Sequence, residues 1–322
     1  SWISRQNYIK ITRVSNIFLF LSWGLILFAY FFGESKGGAS RWINLGFVSF
    51  MPSDMAKLCL TASLAKIFST RQADQSQYNI TTAIVILFLI GVTCFLIMLS
   101  NFSTSILIFL TSIVLMFFGR VPIKYISGIV GIVAFLAVMV VSLGIGQRAA
   151  TVRSRIATFI TRVSENDKSK LKEMNKSDEN YQINLSKYAI STGALIPKGP
   201  GNSQYRYLLS QAESDFIYAI ILEEYGLFMG LLIPLFFLWF MWRGSSVIRY
   251  SGKPLGGLLS AGLTFSIVIQ AFINMLVAVG AGPVTGQPLP MISAGGTSLV
   301  FTAISIGLIL SISRDKEMET KI

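Results

Sequence analysis

The sequence predicts an all-α polytopic membrane protein, and three observations carry that expectation. Of the 322 residues, 53% are hydrophobic and only 13% charged, against roughly 25% charged in an ordinary soluble domain. Apolar windows of about 20 residues, the length a helix needs to cross a bilayer, recur along the whole chain. Basic residues gather in alternate connecting segments, as the positive-inside rule requires. Together these exclude a soluble enzyme. The absence of His excludes a Ser-His-Asp triad, a histidine metal site and an imidazole base.

Eight windows read as transmembrane helices: 15–32, 52–70, 80–99, 103–118, 122–145, 215–242, 256–280 and 291–312. The chain opens on Ser1 and a basic stretch instead of a signal sequence, so an N-terminally truncated chain is expected. The second window is interrupted by Asp54, Lys57 and Lys66, and charges at membrane depth normally face a bundle interior or cavity. Pro52 can start that helix and Ser53 or Asp54 can cap it, with Asp54 and Lys57 on one face at i, i+3. That pair is either an internal ion pair or a cation presented to an anionic lipid head group. Cys59 and Cys94 fall inside apolar windows and read as small buried side chains.

With a cytoplasmic N-terminus, the inside segments hold thirteen Lys or Arg, while the short outside turns hold only Lys36 and Arg41. Residues 146–213 then form one long extracytoplasmic loop with eleven basic residues, which loops of more than about 60 residues tolerate. The net charge of +12 is thus largely topogenic, and no nucleic-acid partner is expected. Within the loop, 146–163 carries Arg148, Arg153, Arg155 and Arg162 among apolar residues, like an interfacial amphipathic helix. Residues 164–187 are rich in charge and read as solvated or mobile. Residues 188–213 bring Gly193, Pro197, Gly199, Pro200 and Gly201, a specified backbone path.

Asp215 stands where this loop enters the sixth window. It reads as a helix N-cap or as a chemical group at the outer interface. Glu223 and Glu224 lie farther along, where a carboxylate in a membrane helix costs roughly 2.5–3.5 kcal/mol, so something polar must receive them. A bundle cation such as Lys57 is one such partner, and helical spacing allows only Glu223 to share a flank with Asp215. Before the last window, Thr285-Gly286-Gln287-Pro288-Leu289-Pro290-Met291-Ile292-Ser293-Ala294-Gly295-Gly296 is a broken backbone, tolerated at membrane depth only when it is buried or lines a wet cavity.

At these residues the chain resembles the SEDS family (shape, elongation, division and sporulation; FtsW/RodA). Arg41-Trp42-Ile43, Pro52-Ser53-Asp54 and Lys57 are similar to its "RW…QPSE…K" block. Tyr181-Gln182, Gly199-Pro200-Gly201-Asn202-Ser203, Ser214-Asp215-Phe216-Ile217-Tyr218-Ala219 and Glu223-Glu224-Tyr225-Gly226 are similar to "YQ…GxGxS…DFIFAxxxEExG". Leu289 through Ser298 is similar to "LPFxSxGGxS". The wording is most like the division-type members of the Bacteroidota. Met51 and Asp54 depart from the family's Gln and Glu, and Leu209 through Ser214 departs from "LPEAHT" ahead of the shared Asp.

The resemblance implies a single domain over 1–322 whose ten-helix family fold has lost two helices before residue 1. It implies a peptidoglycan glycosyltransferase that polymerises lipid II during cell division at the cytoplasmic (inner) membrane. Partners would be a class B, FtsI-like penicillin-binding protein and other divisome membrane proteins. Asp215 would be the general base. Lys57, Arg148, Arg153, Arg155 and Arg206 would neutralise the undecaprenyl diphosphate, with Trp42, Asp54, Glu223, Ser293, Gly295 and Gly296 shaping the substrate site. No cofactor is required, although a divalent cation on the diphosphate is compatible. The rival expectations are a lipid II flippase and a non-catalytic divisome scaffold.

Overall fold

The computed structural model describes residues 3–35, 40–44, 46, 49–73, 78–147, 150–155, 178–209, 211–250 and 253–319. In order, its helices are α1 (Tyr8–Arg13), α2 (Ser15–Phe32), α3 (Pro52–Ala73), α4 (Ile80–Met98), α5 (Phe102–Phe118), α6 (Ile123–Leu143), α7 (Asp178–Gly193), α8 (Ile217–Tyr250), α9 (Pro254–Ala278) and α10 (Thr297–Glu319). Between α2 and α3 run three short strands, β1 (Glu34–Ser35), β2 (Ser40–Asn44) and β3 (Ser49–Phe50). Every predicted window overlaps a helix. Among the described residues, six helices are long and apolar enough to span a bilayer, and Phe102–Phe118 is a shorter apolar helix. The chain is a multi-pass membrane protein, and it divides into two compact units: Ser1–Ala149 with Phe240–Ile267 and Gly296–Ile322, and Ala150–Trp239 with Val268–Gly295.

In the first unit α3 is the hub, touching α2, α4, α5 and α10. Its Ala56, Leu60, Ser63, Leu64, Ala65 and Phe68 are all at most 1% exposed. This explains why the least hydropathic window is still a helix of the bundle, since other helices, and not lipid, surround it. Large apolar side chains point outward instead from α2 and α6, for example Phe31 at 71% and Phe135 at 68% exposed, as lipid-facing helices require. Close approach depends on small residues: a Cβ on Gly262 would collide with the Thr61 side chain. Helix ends follow local chemistry. Asn101 caps α5 by accepting from Thr104 N at 3.2 Å, and Gly144 ends α6 with φ 71°.

The small antiparallel sheet is an addition to the all-α expectation. β2 pairs with β1 (Glu34 opposite Trp42) and with β3 (Ile43 opposite Phe50). Gln147 binds it to neighbouring helix ends, accepting from Ser40 N at 2.7 Å, donating to Tyr30 O at 3.3 Å and donating through its own N–H to Leu99 O at 3.0 Å.

The second unit packs Ile183, Leu185, Leu209, Phe216, Ile220, Val277 and Val284 together. Three sequence expectations change here. Residues 178–187, read as solvated, begin helix α7, whose Asn180, Ile183 and Ser186 are buried; its polar composition hid an inward face. The window 215–242 is not one straight span, because Gly226 breaks α8 with φ 77° and ψ −178°. Tyr218 OH reaches Gly230 O at 3.0 Å, whereas twelve residues of straight helix would separate them by about 18 Å. The chain therefore doubles back at Gly226. Finally, residues 291–296 form a turn, and the last helix begins only at Thr297.

Candidate active site

Asp215 lies just ahead of α8, so Phe216 and not Asp215 occupies the position adjoining its first turn. Its carboxylate is half-buried and accepts from Ser214 Oγ at 2.7 Å. The backbone that carries it is held from three directions within the second unit. Asn274, 1% exposed on α9, donates from Nδ2 to Asp215 O at 2.9 Å and to Gln287 O at 2.8 Å. Ser293 Oγ donates to Ser214 O at 2.6 Å while accepting from Leu289 N at 2.7 Å. Ala294 N donates to Glu213 O at 3.0 Å. Gly286 runs alongside the carboxylate with φ 63°, a conformation that favours glycine. The broken 285–296 segment is thus a clamp on residues 213–215, which accounts for its Pro/Gly punctuation and for buried Ser293.

Beside this clamp is a cavity of about 570 Å³ lined by Arg206, Tyr207, Leu209, Gln211, Ala212, Glu213, Ser214 and Ala294. Ser214 joins it to Asp215. Arg206 stands on its wall and donates from Nη2 to Glu213 Oε1 at 2.7 Å. That hydrogen bond, with the Glu213 charge, raises the pKa of the exposed guanidinium above its ordinary value.

Glu223 is 0% exposed, and its partner is neither Lys57 nor Asp215. Its carboxylate accepts from Lys198 Nζ, from Ser203 Oγ and from Gln204 N at 3.2 Å. The same loop seals the end of the helical segment before the reversal: Lys198 N donates to Glu223 O at 3.2 Å and Gly199 N to Glu224 O at 2.9 Å. Leu227 N returns to Ala194 O at 3.0 Å. Gly193 fits only because it lacks a side chain, since a Cβ there would meet the Glu223 backbone. The glutamates are therefore housed at a chain reversal inside protein, not inside a continuous membrane helix, and the cost of burying the Glu223 carboxylate is met by local donors. Glu224 is 8% exposed, and its Oε1 has no hydrogen-bond partner among the described residues.

In the first unit, Trp42 sits half-buried on β2 and Asp54 is buried in the first turn of α3 at 7% exposure, with Lys57 half-buried one turn on. Lys57 and Arg41 are the cations that act on the Asp54 carboxylate. Asp54 Oδ2 and Ser53 Oγ have no hydrogen-bond partner among the described residues, so Ser53 does not cap this helix. Lys57 and Asp215 belong to different units. Arg153 is exposed and Arg155 half-buried in a helical stretch over 150–155. Arg148, Arg162 and most of the predicted interfacial helix lie outside the described residues. Gly295 is half-buried and Gly296 exposed with φ 49°. Among the described residues no group of three or more Cys, Asp or Glu is gathered as a metal site needs.

Sequence reasoning missed Lys198, Gln270 and Asn274, and it named Ser203 within the Gly199–Ser203 motif without its role as a donor to Glu223. Gln270 Nε2 donates to Pro288 O at 2.9 Å, and with Ser266 and Asn274 it makes an i, i+4, i+8 polar row within an apolar helix. That row was the available signal. For Lys198 the signal was its place as the cation within the Pro197–Gly201 turn.

Comparisons with known proteins bear on the fold and the family. The family described as "Cell cycle protein" (FtsW/RodA/SpoVE) matches residues 2–318. The chain is 30% identical over 309 residues to a probable peptidoglycan glycosyltransferase FtsW of Haemophilus influenzae, covering 94% of this chain and 74% of that one. It is 32% identical over 293 residues to the probable FtsW of Bacillus subtilis, covering 88% and 69%. Among solved structures it is similar to a chain of a peptidoglycan synthase complex solved to explain coordination of polymerization and crosslinking (TM-score 0.77, 20% identity, 98% of this chain and 85% of that one). It is also similar to the rod shape determining protein RodA of Thermus thermophilus (TM-score 0.67, 18% identity, 98% and 82%). A match over nearly every residue, with Ser293 and Ala294 of one motif segment bonded to Ser214 and Glu213 ahead of Asp215, leads to one conclusion: the chain belongs to the FtsW/RodA/SpoVE family, the SEDS family that its motifs resemble.

Proposed function

We propose that the protein is a peptidoglycan glycosyltransferase of the division type, which polymerises lipid II on the outer side of the cytoplasmic membrane at the septum with a class B penicillin-binding protein. The relatives' names support the glycosyltransferase class. The observation that carries the residue-level reading is the clamped, half-buried Asp215 next to a cavity walled by Arg206 and Glu213. In this reading Asp215 takes the proton of an acceptor sugar hydroxyl as its oxygen bonds to the donor's anomeric carbon. The bond from that carbon to the diphosphate oxygen breaks, and undecaprenyl diphosphate leaves with its charge neutralised by cations, Lys57 and Arg206 among them. Asn274 and Ser293 hold the base in place. Trp42, Asp54, Arg153, Arg155, Glu223, Gly295 and Gly296 are assigned to the substrate site or its support.

The test is a glycan-strand assay with the full-length protein, its partner synthase and lipid II. Polymer is expected. Translocation of lipid II without polymer would support the flippase instead, and neither activity would support a scaffold.

A further inference from the structure

We propose that the first unit carries a binding site for the phosphate head group of an anionic membrane phospholipid, built from Arg120 and Lys253 over an apolar wall. A cavity of about 350 Å³ lies where the ends of α3 and α5 meet the start of α9, lined by Gln72, Phe117, Phe118, Arg120, Lys253, Pro254, Gly257 and Leu258. That is the size of a small ligand site. Two cations and an amide share it with the phenyl rings, and Phe117 is 72% exposed beside it, which suits a molecule charged at one end and apolar at the other. Among the described residues no acidic side chain lines it.

The backbone presents Arg120 deliberately. Val121 N donates to Met116 O and Arg120 N to Phe117 O, both at 3.1 Å, the pattern of a helix ending in which the residue at Arg120 takes a left-handed conformation. Arg120 has φ 57°, where glycine is the favoured residue. The neighbouring carbonyls are already committed: Gln72 Nε2 donates to Phe118 O at 3.0 Å and Tyr78 OH to Gly119 O at 2.6 Å. Gly119 cannot accept a side chain because Phe68 presses on it, with an added Cβ only 2.7 Å from the ring. A positive-φ position held this firmly, and filled by arginine, points to a use for the guanidinium. In the topology given by the positive-inside count, this end of the bundle is cytoplasmic, where a basic pocket between helices suits an anionic head group.

The test uses the full-length protein in detergent with added phosphatidylglycerol, phosphatidylcholine or inorganic phosphate, read by native mass spectrometry and by thermal stability. The proposal expects retained phosphatidylglycerol, weakened roughly five-fold by Arg120→Gln or Lys253→Gln and more by both together, about 1 kcal/mol per cation. Arg120→Gly separates binding from folding: it should weaken lipid binding as much as Arg120→Gln does while keeping or raising lipid-free stability, since glycine takes φ 57° without strain. Arg243→Gln, basic but outside the cavity lining, should bind like the wild type. Equal loss in Arg243→Gln, equal binding of phosphatidylcholine, or equal stabilisation by inorganic phosphate alone would overturn the proposal.

Discussion

Replacing Lys198 by Met tests whether the loop before α8 is fastened by the buried carboxylate of Glu223. Glu223 is wholly buried and Lys198 has 22% side-chain exposure. Without the ammonium, the carboxylate retains only Ser203 Oγ and Gln204 N as donors among those described. Removing one partner of a buried pair typically costs 3–5 kcal/mol because the other charge is left uncompensated. Partial access of water at Lys198 places the expected loss near the lower end, about 3 kcal/mol. Glu223→Gln in the same chain removes that stranded charge, so the double variant should be more stable than Lys198→Met alone. Denaturant unfolding of the detergent-solubilised protein, run as a double-mutant cycle, measures both terms. A loss from Lys198→Met below about 1 kcal/mol, the range of exposed surface pairs, would show that the Lys198–Glu223 pair does not fasten the loop.

Gly226→Ala should destabilise by about 3 kcal/mol or more, since φ 77° with ψ −178° is a region only glycine takes readily and the new Cβ would lie 2.9 Å from Pro197 Cγ; the same unfolding measurement checks it. Leu195→Cys, at a position 91% exposed, should label from outside intact spheroplasts with little background from the buried Cys59 and Cys94, and labelling only after permeabilisation would reverse the topology. Lys57→Met should insert normally yet bind lipid II more weakly or fail to polymerise it; normal polymerisation would make Lys57 a structural partner of Asp54.

The spans were legible because each buries or exposes apolar surface over a bilayer's thickness, a signal that survives without knowing the neighbours. Even α3 was found, although its Asp54, Lys57 and Lys66 made sense only once its enclosure by other helices was seen. What composition could not reveal was the chain reversal at Gly226, because apolar residues continue on both sides of it. The small sheet escaped because strands of two to five residues leave no periodicity. Helix α7 escaped because its buried contacts include polar Asn180 and Ser186. Around Asp215 the motif segments were legible as motifs, but the donors that hold them, Asn274 and Gln270, lie in an apolar helix nearly sixty residues away in the chain and become relevant only through the fold.

If Asp215 accepts the acceptor's proton, Asp215→Asn should stop polymerisation in the glycan-strand assay. Asn keeps the size of the side chain and can still accept from Ser214 Oγ, so the clamp through Asn274 and Ser293, which acts on backbone carbonyls, should survive with well under 1 kcal/mol of change at the helix start. A general base contributes about 10²–10⁴-fold, or roughly 3–5 kcal/mol of barrier. The variant should insert, bind its partner synthase and make at most about one hundredth of the wild-type polymer; near-normal polymerisation by the inserted variant would show that Asp215 is not the base.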